Sequence, residues 1–137
     1  MKIVLQFIGW LLLVILAFLL FIILFPFGII ALFIKAFYKH KIGNALIFIT
    51  KGLKARAISI DQTGNTFCDE LFNYTLVKKG YYPYGNPDET ISGVTGKNKL
   101  RNKLSKIGIA LDFILEKLDP NHSIKSIEED EDWKNNH

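Results

Sequence analysis

The chain is 137 residues long and half apolar, with 17 Lys or Arg against 13 Asp or Glu, a net charge of +4, and a single cysteine, Cys68. That length leaves room for one small domain beside any anchor, and a lone cysteine excludes an intramolecular disulfide and every paired-cysteine redox or zinc motif. The charge is uneven: residues 1–56 carry seven basic groups and no acid, whereas residues 57–137 carry ten basic and thirteen acidic groups. Because the cations cluster beside an apolar segment, membrane contact accounts for them and nucleic acid becomes a minor hypothesis.

From Ile3 to Phe25 there is no charge and only Gln6 is clearly polar. As a helix this run is roughly 35 Å long, enough to cross a hydrocarbon core of about 30 Å. Residues 1–25 are therefore expected to form a transmembrane helix. A cleaved signal peptide has a shorter apolar region and a small-x-small cleavage site, whereas Leu24-Phe25-Pro26-Phe27-Gly28 offers bulky groups. Only Lys2 and the amino terminus precede the span, while Lys35, Lys39, Lys41, Lys51, Lys54 and Arg56 follow it. Loops rich in Lys and Arg stay cytoplasmic, so the expected topology has the N-terminus outside and the body inside. An interfacial hairpin that never crosses gives the same side for the body.

Residues 26–56 are read as basic juxtamembrane helices. Pro26 lacks an amide donor and clashes with the preceding turn, which predicts a kink or restart there; the alternative is one long tilted helix. The element from Phe27 to Tyr38 would emerge through the headgroup layer, with Tyr38 at the interface and the lysines reaching lipid phosphates. Ile42, Ala45, Leu46, Ile49 and Leu53 then recur at helical spacing, away from Lys41, Lys51 and Lys54. That stripe fits an amphipathic helix on the cytoplasmic leaflet or one packed against the rest of the protein. The membrane-interface residues are Lys35, Tyr38, Lys39, Lys41, Lys51, Lys54 and Arg56, facing anionic headgroups that attract each cation by about 1 kcal/mol.

Residues 57–127 are expected to form a small, mainly α (α+β) domain on the cytoplasmic side of the anchor. Ala57-Ile58-Ser59-Ile60-Asp61 alternates apolar and polar, and Gln62-Thr63-Gly64-Asn65 has turn chemistry before Thr66-Phe67-Cys68, which predicts a short β-hairpin. Leu71, Tyr74, Thr75 and Leu76 suit a helix or a strand equally. After an aromatic turn at Tyr81-Tyr82-Pro83-Tyr84-Gly85, Asn86 has N-cap chemistry, Pro87 suits the first helical position, and Glu89 can complete a capping box. Leu104, Ile107, Leu111, Ile114 and Leu118 form a heptad seam of about two repeats, ending at Asp119-Pro120. So short a seam is more often one face of a local core than a coiled coil, with dimerisation through it the alternative. The acidic run Glu128 to Asp132 opens a solvated tail, 128–137.

Asp61, Asp69, Asp88, Glu89, Asp119 and His122 supply the groups for an acid-base or metal site, but no spacing among them matches a recognised ligand pattern. The sharpest enzymatic reading pairs His122 with Asp88 or Glu89 on a divalent metal for hydrolysis. Against it, helix capping already explains the two acids, and a surface histidine is the ordinary expectation. Cys68 paired with His122 as a thiolate competes with a small buried hydrophobe. Gly93-Val94-Thr95-Gly96-Lys97 is not a phosphate loop, since Asn98 and Ile91 stand where a hydroxyl residue and the first glycine belong. No cofactor is indicated.

Four strings, SIDQTGN at Ser59 to Asn65, GNPDETIS at Gly85 to Ser92, GKNK at Gly96 to Lys99 and LDPNHSIKSIE at Leu118 to Glu128, resemble a set of small membrane proteins encoded by tailed bacteriophages and prophages. The resemblance implies a bacterial inner membrane with the body in the host cytoplasm, and carries no activity and no catalytic residue. Three classes of function follow from the sequence. The leading one is a membrane-anchored interaction module acting on a host or phage protein; the others are a lysis-related, membrane-perturbing protein working through oligomers and a membrane-bound metal-dependent hydrolase.

Overall fold

The structure, a computed structural model, describes residues 2–127. Five helices follow in order: α1 (Lys2–Lys39), α2 (Ile42–Phe67), α3 (Asp69–Thr75), α4 (Ile91–Leu100) and α5 (Lys106–Leu118), with a last helical segment at 122–127. The chain divides into two compact units, Met1–Leu53 and Lys54–His137, the division falling within α2. The acidic tail expected at 128–137 lies outside the described residues.

In the first unit α1 runs unbroken through Pro26, so the chain takes the single long helix and not the restart. A proline removes one backbone bond, but opening a helix among apolar side chains would strand several more backbone groups away from water. With 38 residues, α1 is by length and composition long and apolar enough to cross a membrane, and no part of its apolar window is buried. Its end packs on the start of α2 through Ala36, Ala45 and Ile49, with Phe48 alongside. The two alanines let the backbones approach, and the Phe48 ring receives His40 at 5.1 Å and the Lys35 ammonium at 5.7 Å. The stripe on α2 is thus divided: Ala45 and Ile49 pack inward, while Ile42 and Leu46 stay exposed.

The second unit corrects the expected β-hairpin. Residues 57–67 are helical, and among the described residues the only β-pairing is an isolated antiparallel bridge, Val77 to Leu104. The hydroxyls of Ser59, Thr63 and Thr66 each donate to the carbonyl four residues back, which satisfies within a helix the groups that would otherwise favour a turn. Gly64 serves proximity, since a Cβ there would come within 2.9 Å of Ile91 Cδ1. Leu71, Tyr74 and Thr75 fall on the helix α3, and Leu76 is its C-cap.

Three asparagines on three helices organise this unit around the loop 81–90. Asn65 of α2 is fully buried; its amide nitrogen donates to the carbonyls of Asn86 (2.9 Å) and Glu89 (2.8 Å), and its oxygen accepts from Gly85 N–H (3.2 Å). Asn73 of α3 bonds both Tyr84 N–H and Tyr84 C=O, and Asn98 of α4 does the same for Tyr82. Each amide mimics a strand partner for a loop that has none. Tyr84 then inserts its ring edge-on against Phe72, beside Leu76, Val77, Val94 and Leu104, with its hydroxyl bonded to Thr95.

Helix α4 starts later than the sequence suggests. Thr90 is the N-cap, its hydroxyl accepting from Gly93 N–H, while Asn86 accepts from Asp88 N–H within the preceding turn. The helix predicted from Leu104 is α5, capped by Ser105 and stopped at Asp119 before Pro120. Its orientation departs in part from the expected core face, of which Leu104 and Leu111 do pack in the core. Gly108 and Asp112 point inward, while Ile107, Ile114 and Leu118 lie outside at 59%, 57% and 80% exposure. The reason is close packing: a Cβ on Gly108 would overlap the Leu76 carbonyl oxygen, so only this glycine face fits against the α3 end.

Candidate functional site

Of the residues singled out from the sequence, Asp61, Asp119 and His122 line one cleft, whereas Asp88, Glu89 and Cys68 are not among its lining residues. Asp88 is exposed in the turn before α4, where its carbonyl accepts from Gln62. Glu89 is fully buried, and its Oε1 accepts from the Tyr82 hydroxyl at 2.9 Å and the Lys97 ammonium at 3.1 Å. It forms no capping box, because the cap lies one residue later at Thr90. Lys97 and Arg101 also lie on the Tyr82 ring, 4.8 Å and 4.9 Å from its centre. Glu89, Tyr82 and Lys97 form an interior ion pair whose charges are compensated within hydrogen-bond distance, a holding arrangement for the loop.

His122 is elsewhere, half-buried at the start of the segment 122–127, with Nδ1 3.3 Å from Asp119 Oδ2. Asp119 also receives Lys125 at 2.8 Å. Lys125 first and His122 second hold the Asp119 carboxyl below the usual carboxylate range. Among the described residues no three His, Cys, Asp or Glu side chains come together as a metal-ligand group. Cys68 sits at the junction of α2 and α3 as the N-cap residue of α3.

What the sequence did not single out is a cleft of about 570 Å³ in the second unit. One face of α2, carrying Lys54, Ala57, Ile58, Asp61 and Gln62 at helical spacing, forms one wall; the end of α5 and the segment 122–127 form the other. Ala57, Ile58 and Leu115 give it an apolar lining, and Asp61, Asp119, His122 and Lys125 bring both signs of charge to it. Asp61 Oδ2 accepts from Ser92 N–H at 3.3 Å, tying this wall to α4. The signal for the wall was the spacing 54, 57, 58, 61, 62, hidden because the same residues alternate well enough to resemble a strand.

Between α4 and α5, Lys99 bridges Asp112 at 2.9 Å and Glu116 at 2.8 Å, and Ser123 donates to Asp112 at 2.7 Å. Glu116 also accepts from Asn121 N–H at 2.8 Å. Lys99 is raised above the ordinary lysine value by Glu116 and then by Asp112, while Glu116 is lowered chiefly by Lys99. These contacts fix the 122–127 segment against α5 and so hold His122 and Lys125 at the cleft.

The interface residues expected at the membrane lie on both sides of the division. In the first unit Tyr38 is 88% exposed at the end of α1, and Lys35, Lys39, Lys41 and Lys51 are also exposed. In the second unit Lys54 is exposed and Arg56 half-buried. Compared with protein-family models, curated proteins and solved structures, the chain matches none.

Proposed function

We propose that this chain is a single-pass protein of the bacterial inner membrane, of phage or prophage origin, whose second unit is an interaction module for a host or phage protein in the cytoplasm. The observation that carries the anchoring is α1: 38 residues of helix whose apolar side chains are exposed from Ile3 to Phe27, including Phe7 at 66% and Trp10 at 70%. So much exposed apolar surface is incompatible with water and suits lipid. The cations Lys35, Lys39, Lys41 and Lys51 after it favour the cytoplasmic side for the body. The four strings given above support the phage origin.

The cleft is the surface we assign to the partner. A lining that mixes apolar residues with acids and bases suits a polypeptide segment that contributes one or two apolar side chains and charges of both signs. The test is crosslinking of the full chain in bacterial membranes, beside the variant Ala57→Arg, which fills the cleft from an exposed position. One identified protein crosslinked to the natural chain and lost with Ala57→Arg is the expected result. The same protein retained by the variant would refute the cleft as its surface, and an empty crosslink with leakage from the cells would favour a membrane-perturbing protein instead.

A further inference from the structure

We propose that the second unit carries its own contact for anionic phospholipid headgroups, built where the segment 78–82 runs beside the end of α4. The two segments are tied along their length: Lys78 N–H donates to Lys103 C=O at 2.7 Å next to the Val77–Leu104 bridge, and Asn98 holds both backbone groups of Tyr82. Between these ties Gly80, at a φ of 79°, bends the chain around the Lys103 ammonium, which donates to the Lys79 carbonyl at 3.2 Å. Lys97 and Arg101 lie over the Tyr82 ring. Three cations of α4 and the turn after it are thus held against one short strip, whose own Lys78 and Lys79 are exposed.

The charge of this strip is of one sign. Lys97 is answered by Glu89, but among the described residues no ion pair joins Lys78, Lys79, Arg101 or Lys103 to a carboxylate. From Thr90 to Leu111 the sequence contains no acid. Acids of the unit are engaged elsewhere, Asp112 and Glu116 on Lys99, Asp119 on Lys125 and Asp61 on Ser92 N–H. Like charges four residues apart on a helix, as Lys97 and Arg101 are, cost stability, and an anionic partner offsets that cost. Clusters of about four or more Lys and Arg beside a membrane anchor suit anionic lipid. Nucleic acid, the other polyanion, fits less well, because stacking needs an open aromatic face and the Tyr82 ring is taken by two cations. Leu100, 66% exposed next to Arg101, suits the boundary between headgroups and acyl chains. None of these residues belongs to the basic stretch 26–56. The anchor confines the chain to a bilayer, and in this respect the inference rests on the anchoring proposed above.

Each cation near an anionic leaflet favours contact by about fivefold, so Lys78, Lys79, Arg101 and Lys103 together contribute on the order of several hundredfold. The experiment uses the full chain in vesicles of phosphatidylcholine alone or with about a third phosphatidylglycerol, on a Cys68→Ser background. Leu100→Cys, or Asp88→Cys in the exposed turn before α4, carries a bimane, and a phospholipid with a nitroxide headgroup quenches any bimane that reaches the surface. Quenching at Leu100→Cys is expected to be at least threefold greater in the anionic vesicles than in the neutral ones and to exceed that at Asp88→Cys. It should fall to the neutral level in about 1 M salt and when Lys78, Lys79, Arg101 and Lys103 are all changed to Gln. Near-ultraviolet circular dichroism checks tyrosine packing in that variant; if packing is disturbed, Lys78→Gln with Lys79→Gln replaces it, with about half the excess lost. Equal quenching in the two kinds of vesicle would overturn the proposal, as would an excess that survives removal of the cations. Equal quenching together with binding of a labelled DNA duplex that the variant loses would assign the strip to nucleic acid and also overturn it. Alkaline extraction of the same vesicles reads the anchoring separately, so either idea can fail alone.

Discussion

Replacing Asn65 by alanine tests whether side-chain amides, more than apolar burial, hold the second unit together. The substitution removes two donated bonds, to Asn86 and Glu89 carbonyls, and one accepted from Gly85 N–H, at a position with no solvent exposure. Asn86 C=O keeps the bond from Glu89 N–H, so the groups most affected are the Gly85 amide and the Glu89 carbonyl. An orphaned buried group costs roughly 1–3 kcal/mol, which puts the expected loss at about 3 kcal/mol. A domain of this size has about 5 kcal/mol or little more to lose, and its Tm falls about 4–8 °C for each kcal/mol. The expected drop is therefore about 12 °C or more, followed in detergent micelles by near-ultraviolet circular dichroism, which reads the loop tyrosines and is blind to the backbone of α1. Thr63→Ala, an exposed hydroxyl on the same helix, is the control and should leave Tm nearly unchanged. An Asn65→Ala variant melting within about 2 °C of the natural chain would mean that the loop is held by something else.

Gly96→Ala would drive a Cβ into the Ser123 carbonyl, and a loss of about 2 kcal/mol or more is expected; a variant as stable as the natural chain in urea would contradict the close packing of α4 on the 122–127 segment. Glu116 and Asp119 are lowered in the folded state, so their contribution is fully present above their unfolded values of about 4 and is lost as pH falls through the folded ones. Tm should fall between about pH 5 and pH 3, and Glu116→Gln with Asp119→Asn should flatten that slope; an unchanged slope would refute the pairing. Tyr84 is raised above 10.0 by burial, with the Thr95 bond opposing, so stability is lost as pH rises from the ordinary tyrosine value through the folded one. In a titration of tyrosinate absorbance Tyr84→Phe should remove the most alkaline component, and loss of an earlier component would count against the burial of this ring.

Elements whose residues act locally were legible in the sequence. The apolar character of α1 follows from an uncharged run, though its continuation through Pro26 to Lys39 was only the alternative reading, and α5 ends where Asp119-Pro120 stops a helix. What misled were polar side chains used at a distance. Gln62, Gly64 and Asn65 have turn chemistry, yet Gln62 and Asn65 bond the loop 85–90 and Gly64 makes room for Ile91. Glu89 looked like a capping residue because its true partners, Tyr82 and Lys97, are brought to it only by the fold. The heptad in α5 was visible, but not which side faced inward, because Gly108 and Asp112 on the packed side carry no hydrophobic signal. The cleft was missed for the same reason as the helix that forms its wall.

The same inversion has an energetic consequence that can be measured. The interior of the second unit holds Asn65, Glu89, Thr95, Asn98, Asp112 and Ser123 beside five buried apolar residues, Leu76, Val77, Tyr84, Val94 and Leu104. Hydrogen-bonded polar groups fix geometry but contribute modestly to net stability, since unfolding returns them to water. A unit held by geometry more than by apolar burial should therefore lose most of its stability with a single amide, which is what Asn65→Ala measures; a variant that keeps its melting temperature would show that the five apolar residues suffice without the amide bonds.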